Sequence, residues 1–126
     1  MEFINTNLAP EAVGPYSQAV QLNNLIYLSG QIPIDPKNQE LCLFEGDVGK
    51  QAELVLSNMA GVLKSQGLTL HNIFKTTLFL TDMNDFAAVN KVYAKAFGTH
   101  RPARSTIAVA GLPKGVAVEI ESIARL

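Results

Sequence analysis

Apolar residues recur along the chain in two periods, and the changes of period divide it into elements. Phe3-Ile4 reads as a short first strand. Gln18-Ala19-Val20-Gln21-Leu22 and Leu25-Ile26-Tyr27-Leu28-Ser29 flank the two-residue Asn23-Asn24. Asn tolerates positive φ, so this pattern predicts a tight hairpin. From Gly30 to Gly46 the periodicity is lost and Pro33, Pro36 and Gly46 intervene, which predicts a long loop of the kind that often carries function. Asp47 stands where a helix cap is expected, ahead of Val48, Ala52, Val55, Met59, Val62 and Leu63. Their spacing puts them on one helical face, with Gly67 as the stop. Ile73 to Thr81 is rich in β-branched and aromatic residues and predicts a strand. Asn84 is expected to cap a second helix with Phe86, Val89, Tyr93 and Phe97 in one stripe and Gly98 at its end. Strands over Arg104–Val109 and Val116–Ala124 follow, separated by the Gly111-Leu112-Pro113-Lys114-Gly115 turn.

The predicted order is β-β-β-α-β-α-β-β in one domain spanning residues 1–126. Each helix has a single apolar stripe, so the simplest assembly is an α+β sheet with both helices on one face. Val116, Val118 and Ile120 alternate with Ala117, Glu119, Glu121 and Ile123, and Ser105, Ile107 and Val109 alternate with Arg104, Thr106 and Ala108. The second set of each strand is expected on the helix-free face. Ala, Thr and Ile beside a few charges there suggest a subunit interface with a polar site at its margin.

Composition supports that expectation. Only 17% of residues are charged while 48% are hydrophobic, against about 25% charged in an average soluble domain. So charge-poor a surface on so small a chain favours cover by sister subunits. Ten Lys and Arg against eleven Asp and Glu give a net charge of −1. That leaves no basic footprint for nucleic acid and no polybasic anchor for a membrane. The N-terminal Met1-Glu2-Phe3-Ile4-Asn5 lacks the segments of a signal peptide, and the single Cys42 has no partner for an internal disulfide. A cytoplasmic protein is expected.

Several chemistries find no motif. There is no phosphate-cradling Gly-rich loop and no dinucleotide fingerprint. His71 and His100 are the only histidines and are widely separated in sequence, so neither metal-ligand spacing nor a Ser-His-Asp or Cys-His arrangement is present. Each histidine reads as an ordinary surface side chain. Arg104 opens a strand and could aim its fork of donors at a carboxylate, or simply pair with Glu119 or Glu121. Glu119 sits between apolar neighbours, where it is either a general base or water-orienting group, or a solvating charge on an edge strand. Tyr16 is a half-buried ring or a hydrogen-bond donor to a ligand. Asn90 lies inside the second helix but off its apolar stripe. Ser29-Gly30-Gln31 either punctuates a strand end or offers a hydroxyl and a backbone N–H at a loop mouth.

Taken together, five segments resemble the RidA (YjgF-like) family. They are Gly14-Pro15-Tyr16-Ser17-Gln18-Ala19, Ser29-Gly30-Gln31-Ile32-Pro33, the run from Lys75 to Phe86, Arg101-Pro102-Ala103-Arg104-Ser105, and the run from Leu112 to Glu121. The resemblance extends from about Asn7 to Ala124. It implies a chorismate-mutase-like α+β fold assembled as a homotrimer, with sites in the clefts between subunits. The activity it implies is that of a 2-iminobutanoate/2-iminopropanoate deaminase, which hydrolyses reactive enamines and imines to 2-keto acids and ammonia without a cofactor. Carried over by position, Arg104 would pair with the substrate carboxylate and Glu119 would orient the attacking water. Tyr16 would donate a hydrogen bond near the substrate, and the Gly30 backbone would help hold water or ligand. Ser29, Asn90 and the Thr106 backbone match further cleft-lining positions. A non-catalytic carboxylate-binding, chaperone-like or translation-regulating role is the alternative.

The sequence departs from the family pattern in places. Many deaminase-type members have Cys where Thr106 stands. The loop bearing Cys42-Leu43-Phe44-Glu45-Gly46 is a few residues longer than is common, and the approach through His100-Arg101 is shorter. The two length differences are expected to reshape the rim of the cleft, whereas Thr106 keeps function if that position contributes its backbone carbonyl and loses only a thiol-dependent property.

Overall fold

A computed structural model describes all residues, 1–126. Eight strands and two helices follow one another: β1 (Glu2–Ile4), β2 (Ala19–Leu22), β3 (Leu25–Gln31), β4 (Ile34–Asp35), β5 (Glu40–Leu41), α1 (Val48–Lys64), β6 (Ile73–Leu80), α2 (Phe86–Phe97), β7 (Ala103–Ala108) and β8 (Val118–Arg125). Six strands form one sheet in the order β1-β2-β3-β8-β6-β7, and both helices pack on one of its faces. The expected α+β architecture is present. The region read as a single long loop contains more than that: Ile34 and Asp35 pair with Leu41 and Glu40 in a two-residue antiparallel ladder. Such a ladder is too short to leave an alternating pattern in sequence.

The helices start and stop for identifiable reasons. The Asp47 carboxylate accepts from the Lys50 N–H and satisfies one of the orphan donors at the start of α1. Gly67, at φ +72°, lets the chain fold back so that Leu68 N–H reaches the Leu63 carbonyl. For α2 the expected cap is corrected. Asn84 does not cap it; the Asp82 carboxylate accepts from the Asn84 N–H and caps a short helical turn, Met83–Asp85, that leads into α2. The inward stripe of α2 consists of Val89, Tyr93 and Phe97, all buried. With Val55, Met59, Val62 and Leu63 of α1 and Leu78, Leu80, Val118 and Ile120 of the sheet, they form a single core.

Strand register decides which side chains share a face. In β8, Val118, Ile120, Ser122 and Ala124 point into the core, so Glu119, Glu121 and Ile123 point to the helix-free side. β6 carries Thr76, Leu78 and Leu80 inward and pairs in parallel with β7, so that Thr76 stands beside Arg104 and Leu78 beside Thr106. Arg104 and Thr106 therefore lie on the helix side of the sheet, and Ser105 and Ile107 on the open side. This reverses the expected phase of β7. The alternation in that strand involves only small or polar residues on both sides, and its phase is set by the pairing with β6, which the strand's own sequence does not encode. The open face carries Phe3, Tyr27 and Ile107, which are 70%, 44% and 44% exposed.

Candidate active site

A cavity of about 560 Å³ opens where the loop preceding β2, the end of β3, the Pro113–Gly115 turn and the start of β8 converge. Tyr16, Ser29, Gly30, Lys114, Glu119 and Glu121 line its polar part, and Pro10, Val13, Ile32 and Ile34 its apolar part. Four of the expected site residues are thus brought together in one chain.

Local structure explains how. Between the pairs Leu28–Ser122 and Gln31–Ile120, β3 has two residues, Ser29 and Gly30, where β8 has only Glu121. This bulge bends β3 and opens the strand next to Glu119, as bulges beside functional sites commonly do. Gly30 leaves room for the Glu119 carboxylate, which a Cβ there would overlap. The Ser29 hydroxyl donates to the Ser17 carbonyl at 2.6 Å, and Ser29 N–H donates to the Gln18 carbonyl at 3.0 Å. Ser29 is thus a tie that holds the Tyr16 loop over the cavity. Gly14, at φ +131°, permits the turn in which Tyr16 N–H donates to the Gly14 carbonyl. Tyr16 itself is 54% exposed and also borders a second groove, along β1.

The Glu119 carboxyl titrates above the usual carboxylate range. Burial is the main cause, because it penalises the charged form, and the like charge of Glu121 adds to it. A carboxylate made more basic in this way is the better proton acceptor.

Arg104, Asn90 and Thr106 form a separate group. Arg104 Nη1 donates to Asn90 Oδ1 at 2.8 Å. Its guanidinium carbon lies 4.9 Å from the centre of the Tyr93 ring and 5.5 Å from that of Phe86. Phe86, Asn90 and Tyr93 are spaced i, i+4, i+7 and line the side of α2 that meets the edge strand β7. Asn90 thus flanks the apolar stripe and holds the arginine. The Tyr93 hydroxyl shares a 2.8 Å hydrogen bond with Thr76 Oγ1. Burial raises the Tyr93 pKa, with Thr76 and Arg104 opposing, so the phenol is neutral at physiological pH. Neither Arg104 nor Asn90 lines the Glu119 cavity. The sheet stands between the two groups, and one chain does not bring Arg104 to Glu119.

The histidines lie outside both groups. His100 Nε2–H donates to the Ile73 carbonyl, and the ring sits 5.5 Å from that of the exposed His71. His100 therefore has a structural hydrogen bond that its sequence context did not reveal.

Three buried amides went unnoticed in the sequence. Gln18, 2% exposed, donates from Nε2 to the carbonyls of Thr6, Ala9 and Pro10 and accepts from Thr6 N–H. Gln51 donates to the Leu43 carbonyl and accepts from Ala117 N–H, two residues before Glu119. Asn58 donates to the carbonyls of Ile32 and Ile34. Each fixes a loop that lines or adjoins the cavity. Gln51 and Asn58 share the helical phase of Val55 and Val62, a signal of buried amides that was available in the sequence.

The family model for endoribonuclease L-PSP matches residues 6–126. The chain is 47% identical to the mouse protein named 2-iminobutanoate/2-iminopropanoate deaminase, across 96% of this chain and 88% of that one. It is also 47% identical to a RutC family protein of Pyrococcus horikoshii, across 98% and 96%. Among solved structures, RidA from an Antarctic Psychrobacter is similar at a TM-score of 0.93 and 43% identity, covering 100% of both chains. Escherichia coli TdcF with bound serine is similar at a TM-score of 0.92 and 43% identity, covering 100% and 99%. No helix is long and apolar enough to cross a membrane. Sequence and structure agree along the whole chain: it belongs to the endoribonuclease L-PSP family, together with RidA and the RutC family proteins.

Proposed function

We propose that the chain hydrolyses small 2-imino acids and their enamine tautomers to 2-keto acids and ammonia, in clefts between the subunits of a homotrimer. The mouse relative's name supplies the reaction type. The observation that carries the reading to these residues is that the basic Glu119 carboxyl lies beside Gly30 in a cavity with Tyr16, while the arginine suited to an anion stands on the other side of the sheet. Two half-sites on opposite faces need a second copy to make one whole. The uncovered sheet face bearing Phe3, Tyr27 and Ile107 is the surface on which copies would associate.

In this mechanism the substrate carboxylate lies on the Arg104 N–H groups that Asn90 leaves free, and the paired hydrogen bonds fix its orientation. A water between Glu119 and the Gly30 backbone attacks C2 of the imine. As the C–O bond forms, the C=N π pair moves to nitrogen and Glu119 takes the water's proton. Glu119 then returns that proton to nitrogen to give the neutral carbinolamine. It next takes the carbinolamine hydroxyl proton and passes it to nitrogen, so that the oxygen lone pair forms C=O as the C–N bond breaks, and ammonia and the 2-keto acid leave. Tyr16 donates to the substrate from the cavity wall. Thr106, on the side of Arg104, contributes backbone, so the exchange of Cys for Thr there leaves this chemistry intact. The imine carbon is already electrophilic, and positioning with one activated water is sufficient. The unpaired Cys42 thiol suits a reducing compartment, the cytosol.

The test is to add purified protein to threonine dehydratase and follow loss of the released imine. Faster loss than in buffer is expected, and no acceleration overturns the reading. The serine bound to the TdcF relative favours a second reading, in which the same Arg104 holds a small carboxylate without turnover. Tight 2-keto acid binding with no acceleration would select it.

A further inference from the structure

We infer that Tyr93 is a positioning residue: its ring is the platform over which the Arg104 guanidinium is held for an incoming carboxylate. The inference deepens the proposed function, since it rests on Arg104 as the anion-capturing group. Arg104 has one polar partner, Asn90 Oδ1, which occupies one of its five N–H donors. One hydrogen bond leaves a guanidinium free to swing about that contact. Two rings add to it: Phe86, 5.5 Å away, is itself 37% exposed, whereas the buried Tyr93 ring, 4.9 Å from the guanidinium carbon, is the nearer and firmer constraint and attracts the cation through its π face. The ring is itself immobile. Its hydroxyl is tied to Thr76, which is fully buried and is the register partner of Arg104 on β6, and Phe97 packs against it with ring centres 4.4 Å apart. The core strand thus orients the ring, and the ring orients the arginine on the neighbouring edge strand, where β7 has no further strand to stiffen it. A residue serving only to fill the core would need no such alignment with a cation.

The experiment compares Tyr93→Phe, which keeps the ring, with Tyr93→Leu, which removes it. Tyr93→Met, closer in volume and adaptable in cores, replaces the latter if Leu does not fold. Three quantities are read: NMR order of the Arg104 Nε–H, the dissociation constant of 2-oxobutanoate, and KM against kcat for imine hydrolysis. Without the ring, Arg104 Nε–H order falls, and both KM and the dissociation constant rise about tenfold while kcat changes little. Tyr93→Phe keeps the ring but loses its tie to Thr76, so it shows the smaller loss, about threefold in KM and in the dissociation constant. Unchanged Arg104 order without the ring overturns the inference, as does an equal loss in Tyr93→Phe. If wild-type protein neither binds 2-oxobutanoate nor hydrolyses imines, the proposed function falls, and Arg104 order still decides the role of Tyr93.

Discussion

The Glu119 carboxylate occupies the space that a side chain at position 30 would need. A Cβ on Gly30 would overlap Oε1 and come within 2.9 Å of Cδ and 3.1 Å of Cγ. These atoms belong to the end of a flexible side chain, so the fold can accept a methyl group while the carboxylate is forced away. Gly30→Ala is therefore expected to unfold within about 4 °C of wild type, while kcat falls about a hundredfold because the water-activating group is misplaced. Thermal unfolding and turnover on the same sample check this. Full turnover in Gly30→Ala would remove Glu119 from the reaction.

Glu119 must be unprotonated to take a proton from water, so activity declines as pH falls through its pKa. That pKa is raised, chiefly by burial and secondarily by Glu121. The acid limb of kcat/KM should therefore lie above the value of about 4.3 for a free Glu. Glu121 is exposed, and Glu121→Gln removes only the repulsion. The limb then moves toward lower pH without reaching the free value, because desolvation remains. A limb that stays in place or moves upward assigns the shift elsewhere.

How much of this was legible in the sequence depended on contrast between the two sides of each element. The stripes of α1 and α2 set large apolar residues against polar ones and were readable, as was the Asn23-Asn24 hairpin, except that Phe86, expected in the α2 stripe, is 37% exposed at the start of the helix. β7 has Arg104, Thr106 and Ala108 on one side and Ser105 and Ile107 on the other. Neither set looks more buried, so only pairing with β6 fixes the phase. The candidate residues themselves were found through family resemblance; their division into two groups was not. That division follows from sheet order, a long-range property with no local sequence signature.

Gln18 holds the loop preceding β2 with four hydrogen bonds, of which the shortest, to the Pro10 carbonyl and from Thr6 N–H, measure 2.7 Å. Gln18→Leu roughly preserves volume and leaves several buried backbone groups without partners. A loss of about 2–4 kcal/mol is expected, read as a lower urea midpoint. Pro10 and Tyr16 line the cavity, so KM should also rise. An unchanged midpoint would mean that the loop is held by its packing alone.

Arg104 projects from the helix side of the sheet and Glu119 from the open side, so no cleft within one chain contains both. Loss of the carboxylate clamp in Arg104→Ala should lower kcat/KM about a hundredfold, and Glu119→Gln should lower kcat with little change in ligand affinity. Each variant alone is then nearly inactive, but each carries the half that the other lacks. Unfolded together and refolded, they assemble at random. A cleft that takes its arginine from one chain and its glutamate from the neighbour receives each intact with a probability of one half, so about a quarter of wild-type activity returns. A site contained in one chain would recover nothing, because every chain in the mixture is defective. Recovery after co-refolding, with none when the folded variants are merely mixed, would place the reaction between subunits.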